Sequence, residues 1–141
     1  MTTAPRTPEK LMRRSREALS ALAVQFLLGM GANLIGSPEE NGGTARVLAG
    51  IILGLHALVG IGLIVVAVRV WLAARAEHTA ERSALWAFIV VILTFLAGIA
   101  TMFTGNDWLS FLMAVGFVAS AALYVMTGAA ALAVRRSPAV R

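Results

Sequence analysis

His56 is the side chain in this sequence whose type and setting point most directly to chemistry. It is the single titratable residue in the run 47–68, VLAGIILGLHALVGIGLIVVAV. Imidazole exchanges a proton near neutral pH and binds transition metals. On a helix its face also carries Ala49, Gly60 and Ala67, since positions three or four apart share a side. Gly60 is expected to leave a hollow beside the ring. A flat macrocycle such as haem suits that hollow, with an imidazole nitrogen on the iron, and so does a quinone. The plainer reading is a neutral His56, hydrogen-bonded across a helix bundle to Gln25, Thr94 or Ser120, which needs no cofactor.

A bound haem also calls for a second axial ligand at the same depth, and the sequence lacks an obvious one. His78 falls in a polar connection. Met113 and Met126 carry the remaining candidate sulfurs, although an apolar helix more often uses methionine for packing. Met113 is placed about one helical turn away from the depth of His56. The cofactor therefore stays unknown, with haem incomplete.

Other polar residues within apolar runs are expected to face a bundle interior, because hydrocarbon leaves such groups without partners. Gln25, Thr94 and Ser120 fall near mid-depth, Asn33, Thr101 and Ser110 toward one side, and Tyr124 and Thr127 toward the other. No carboxylate lies inside an apolar run, so proton-coupled transport, which normally uses one, is the weaker alternative. Gly50 with Gly54, Ala97 with Thr101, and Gly116 with Ser120 form small-xxx-small steps that let helix backbones approach. Gly50 and Gly54 serve either the bundle itself or a homodimer or membrane-complex partner.

These residues need helices to hold them. The run around His56 would span about 33 Å as a helix, against a bilayer core of roughly 30 Å, and three similar runs flank it. The predicted fold is an all-α, four-transmembrane-helix up-and-down bundle with spans at about 18–35, 47–70, 84–103 and 108–134. A basic amphipathic segment, 1–17, is expected to lie along the membrane interface, beginning at the cap-like Thr7-Pro8-Glu9. A short tail, 135–141, closes the chain. Thr44, Ser83 and Asn106 or Asp107 are expected to cap the later helices. The Thr104-Gly105-Asn106-Asp107 turn is short enough to force antiparallel neighbours.

Composition agrees. Of 141 residues, 59% are hydrophobic and only 13% charged, with a mean hydropathy of +0.82; soluble domains average about 25% charged. Cysteine is absent, which excludes disulfides, iron–sulfur clusters and thiol redox chemistry. The net charge of +5 reflects topology, not nucleic-acid binding. Arg6, Lys10, Arg13, Arg14 and Arg16 precede the first span, Arg69, Arg75 and Arg82 lie at or after the end of the second, and Arg135, Arg136 and Arg141 follow the fourth. The opposite loops hold Arg46 against Glu39, Glu40 and Asp107. By the positive-inside rule both termini are expected in the cytoplasm, in a bacterial inner membrane, with the lipid bilayer as partner. The first span is longer than a signal-peptide core and lacks a cleavage pattern.

The sequence also echoes itself. QFLLGMGANLIG, from Gln25, aligns with TFLAGIATMFTG, from Thr94, pairing Phe26 with Phe95, Leu27 with Leu96, Gly29 with Gly98 and Gly36 with Gly105. LHALVGIGLIVVAV, from Leu55, aligns less clearly with LMAVGFVASAALYV, from Leu112. Either a helical hairpin is duplicated as parallel repeats, or apolar helices coincide by drawing on few residue types.

QFLLGMG, LHALVGIG and TFLAGIA together resemble uncharacterised small four-helix membrane proteins of high-GC bacteria, which are similar in turn to b-type cytochrome bundles and to the four-helix halves of haem A synthase. The resemblance covers about 18–134. It implies the four-helix architecture and a haem held between histidines of the second and fourth helices. His56 matches the second-helix position, while SFLMAVGF in the fourth helix has no histidine. No nucleophile–base pair, paired carboxylates or phosphate-cradling loop is visible. The expectation is a non-enzymatic accessory or scaffold protein with an apolar ligand near His56; the alternatives are a cytochrome-like haem or quinone protein and a small transporter.

Overall fold

The computed structural model describes residues 9–39 and 41–137. It contains α1 (Glu9–Ile35), α2 (Gly43–Glu77), α3 (Glu81–Thr104) and α4 (Asp107–Arg136). Each is long and apolar enough to cross a membrane, so the chain is a multi-pass four-helix bundle. The helices form a closed ring: each packs on the next and α4 returns to α1, with no close backbone approach across either diagonal among the described residues.

The interior is built from small side chains. Ala18, Ala67, Ala74, Ala84, Ala87 and Ala131 are buried beside Leu11, Leu22, Leu63, Val70, Val91 and Tyr124. The large apolar residues face outward, among them Leu34, Leu58, Phe103, Trp108 and Val118. Lipid tails are as apolar as leucine, so exposing leucine to them costs little. Close helix approach through small residues supplies the cohesion instead.

The chain does not turn at the expected boundary between lead-in and first span. From Glu9 to Ile35, α1 is one helix, because no proline interrupts it and Leu11 and Ser15 continue the buried stripe of Ala18 and Leu22. The lead-in thus joins the bundle rather than lying along the interface. Thr7, Pro8 and residues 138–141 lie outside the described residues. Thr44 sits inside α2, which starts after Gly42 without a side-chain cap. Ser83 sits inside α3, and its hydroxyl donates back to the Ala80 carbonyl at 3.0 Å. Asn106 does cap α4, its Oδ1 accepting from the Trp108 N–H at 2.9 Å.

The two hairpins repeat each other's contacts. The buried Ser15, Ala18 and Leu22 of α1 match Ala84, Ala87 and Val91 of α3. Leu63, Ala67, Val70 and Ala74 of α2 match Ser120, Tyr124, Thr127 and Ala131 of α4. Both hairpins turn on a glycine in the left-handed region, Gly36 at φ 81° and Gly105 at φ 62°. The Gly36 N–H donates to the Ala32 carbonyl, and the Gly105 N–H to that of Thr101, the matching residue. Phe26 stacks on Phe117 between α1 and α4 at 5.0 Å. Its counterpart Phe95 packs on Gly60, the counterpart of Phe117. The correspondence runs through buried positions and interhelical contacts alike.

Candidate functional site

His56 sits in the α1–α2 interface. The Gln25 amide Nε2 lies 3.2 Å from His56 Nε2 and donates to it, which leaves the ring proton on Nδ1. A ring of this kind is neutral, and its tautomer follows from the bond its other nitrogen makes. The Cε1 edge of the ring approaches α1: a Cβ on Gly29 would stand 3.0 Å from His56 Cε1 and 3.4 Å from Nδ1. Only glycine leaves space for an imidazole that close to a neighbouring helix. His56 Nδ1 and Gln25 Oε1 are both buried without a hydrogen-bond partner. Of the three expected partners, Gln25 is the one that the fold supplies.

The hollow expected at Gly60 is filled. A Cβ there would meet the Phe95 ring at 3.2 Å and the Gln25 amide at 3.4 Å. Met113 belongs to the other hairpin interface, where its Sδ would stand 3.0 Å from a Cβ on Gly98. These residues do not fit a haem. The nitrogen that would ligate iron accepts from Gln25, the space beside it holds an aromatic ring, and the sulfur packs on a different helix pair.

The other sequence-derived candidates spread through the bundle. Thr94 donates to the Val90 carbonyl at 2.7 Å and its side chain fills the notch at Gly116. Thr101 bonds within its own helix, to the Ala97 carbonyl at 2.9 Å. Ser120 and Tyr124 are buried in α4, and the Tyr124 hydroxyl has no partner. Asn33 is exposed on the outer surface of α1, contrary to an interior place. Gly50 and Gly54 also face outward, with nothing within 4 Å of a Cβ built on either, so they do not join helices within this chain. Among the described residues no three His, Cys, Asp or Glu side chains gather as a metal site.

Three contacts were not assigned from the sequence, which placed Gly29 and Phe95 in the repeat and Ser83 as a helix cap. Phe95 closes the Gly60 notch, Gly29 seats the imidazole, and Ser83 bonds to Thr127 across α3 and α4 at 2.9 Å. The pairing of Gly29 with Gly98 was the available signal for the second.

At the end of the bundle that carries the termini, the surface becomes polar. Arg75 lies over the Trp71 ring at 5.3 Å, and Trp71 stacks on Phe88 at 5.8 Å. Glu77, beyond the apolar span 47–70, accepts from the Leu11 N–H at 3.2 Å. Burial pushes its carboxyl above the ordinary carboxylate value, against the smaller opposing pulls of that N–H and of Lys10.

Compared with known families, curated proteins and solved structures, the chain has no match.

Proposed function

We propose that this chain is a non-enzymatic accessory or scaffold protein of a bacterial inner membrane, with both termini in the cytoplasm. The observation that carries the reading is the Gln25–His56 hydrogen bond, next to a Gly60 notch already filled by Phe95. The one residue suited to redox or ligand chemistry is used to join α1 to α2. What remains for the outside world is the helix surface, where Gly50 and Gly54 leave a shallow seam between Val47, Ile51 and Leu58, all exposed. The orientation rests on Lys10, Arg13, Arg14, Arg16, Arg69, Arg75, Arg82, Arg135 and Arg136 sharing the terminal end of the antiparallel bundle, the side that the positive-inside rule assigns to the cytoplasm.

Protein purified from cells supplied with haem should show no Soret band, and His56→Ala should leave its absorption unchanged. A band that disappears in His56→Ala would replace this reading with a cytochrome-like one. A double-mutant cycle on Gln25→Ala and His56→Ala should return a coupling of about 0.6 kcal/mol, as membrane hydrogen bonds do on average. An impermeant label applied to intact cells should reach neither terminus.

One observation favours a second reading. His56 Nδ1 and Gln25 Oε1 are both buried without partners; an Nδ1–H donor suits a quinone carbonyl, and the amide oxygen suits the hydroxyl of the reduced quinol. Mass analysis of co-purified small molecules decides this: a quinone present in the wild type and missing from both Gln25→Leu and His56→Ala would establish it.

A further inference from the structure

We propose that the groove between the start of α1 and the end of α2 seats the phosphate of an anionic phospholipid, whose acyl chain runs along the outward face of α2. The groove encloses about 220 Å³ and is lined by Lys10, Arg14, Arg69, Leu72, Ala73 and Ala76. Three cations from two helices converge on it and no carboxylate lines it. Its volume lies below the 300–1,000 Å³ typical of pockets that swallow a whole drug-sized ligand, so it takes a headgroup and leaves the tails outside.

The competing charges are accounted for. Arg14 gives one N–H to Glu17 at 2.8 Å. Glu77 is turned to the Leu11 N–H and is near enough to Lys10 to feel its charge. Among the described residues, Lys10 and Arg69 make no ion pair. The larger groove at this end, about 700 Å³, sets Glu81 and His78 beside a single arginine, Arg82, and lacks that positive bias.

Depth and shape agree with the charge. Arg69 directly follows the apolar run, so the groove sits where hydrocarbon gives way to headgroups. Basic pockets between helices at that level are the usual seats of anionic lipids. Leu72, Val65, Ile61 and Leu58 are exposed in one line above it on α2, and Gly62 among them has nothing within 4 Å of a Cβ position. A tail anchored at Arg69 lies along that line. This reading does not involve Gln25 or His56.

The test titrates full-length protein in detergent with phosphatidylglycerol and with phosphatidylcholine, reading retained lipid by native mass spectrometry. Phosphatidylglycerol should be retained in preference. Lys10→Gln and Arg69→Gln should each weaken it about fivefold and together roughly thirtyfold, at the usual contribution of a surface cation. Arg69→Lys should keep most of the affinity, and the pair Arg135→Gln with Arg136→Gln should leave it unchanged. Equal weakening by that control pair, equal retention of phosphatidylcholine, or displacement of the lipid by millimolar inorganic phosphate would each overturn the proposal. His56→Ala should bind as the wild type does, which separates this outcome from the fate of the proposed function.

Discussion

His56 and Met113 hold the same place in the two halves of the bundle. Each lies against a glycine of its own hairpin, His56 Cε1 and Met113 Sδ both standing 3.0 Å from where a Cβ on Gly29 or Gly98 would be. Because the repeat relates them, each faces the interface inside its own hairpin. The imidazole and the thioether are counterparts, not an axial pair.

The glycines divide into two groups with opposite responses to an added methyl. Gly29→Ala should destabilise by about 1–3 kcal/mol, since the rigid imidazole must shift to admit it. Gly98→Ala should cost less, because a flexible thioether end gives way more easily. Gly50→Ala and Gly54→Ala meet open space and should be neutral or stabilising by up to about 1 kcal/mol through helix propensity. Thermal unfolding in detergent measures all four. Outward-facing variants that lose more stability than Gly29→Ala would show that the Gly50–Gly54 seam is occupied by another protein chain.

Gly116 and Thr94 should behave as a pair. A Cβ on Gly116 would overlap the Thr94 hydroxyl, which is held to its own helix by the bond to Val90. Gly116→Ala should therefore cost about 1–3 kcal/mol, and Thr94→Ala in the same chain should restore most of it. Additive losses in the double variant would mean that the two side chains do not meet.

Tyr124→Phe should stabilise the bundle by roughly 1 kcal/mol. The ring is fully buried and its hydroxyl has no partner, so removing the oxygen relieves an unmet desolvation cost. Tyr124→Ala should do the reverse by about 3–5 kcal/mol, as large aromatic truncations do. A loss on Tyr124→Phe would reveal that the hydroxyl has a partner, such as a bound water.

The pH response of folding should carry the signature of Glu77. Its carboxyl is raised above the ordinary value of 4.5, chiefly by burial, so the folded state holds a proton that the unfolded chain releases. That contribution is complete below the unfolded value and is lost as pH climbs through the folded one. Wild type and Glu77→Gln should thus respond alike at low pH, and the wild type should fall behind as pH rises. Parallel profiles across the whole range would remove burial as the dominant influence on Glu77.

The helices were legible because composition and periodicity announce a membrane solvent. Twenty-odd apolar residues in a row leave the backbone no other way to satisfy itself in lipid. Their ends were harder to read: α2 and α3 begin without side-chain caps, at Gly42 and Ala80, and α1 runs straight through an expected bend. For His56, sequence placed Gln25 among its partners by depth alone. It could not say which neighbour reaches Gly60, because Phe95 arrives from a helix some thirty-five positions away. Exposed polar residues such as Asn33 misled for a related reason: depth along a helix is visible in sequence, while azimuth around it is blurred when every side is apolar.

The ring closes between its two most distant members. Phe26 finds Phe117, and Ser15 Cβ would stand 3.5 Å from a Cβ placed on Gly128, so α1 leaves the ribosome before the partner that covers it. Until α4 has been threaded into the bilayer, one flank of α1 is bare and the interior of the four-helix ring stays unsealed.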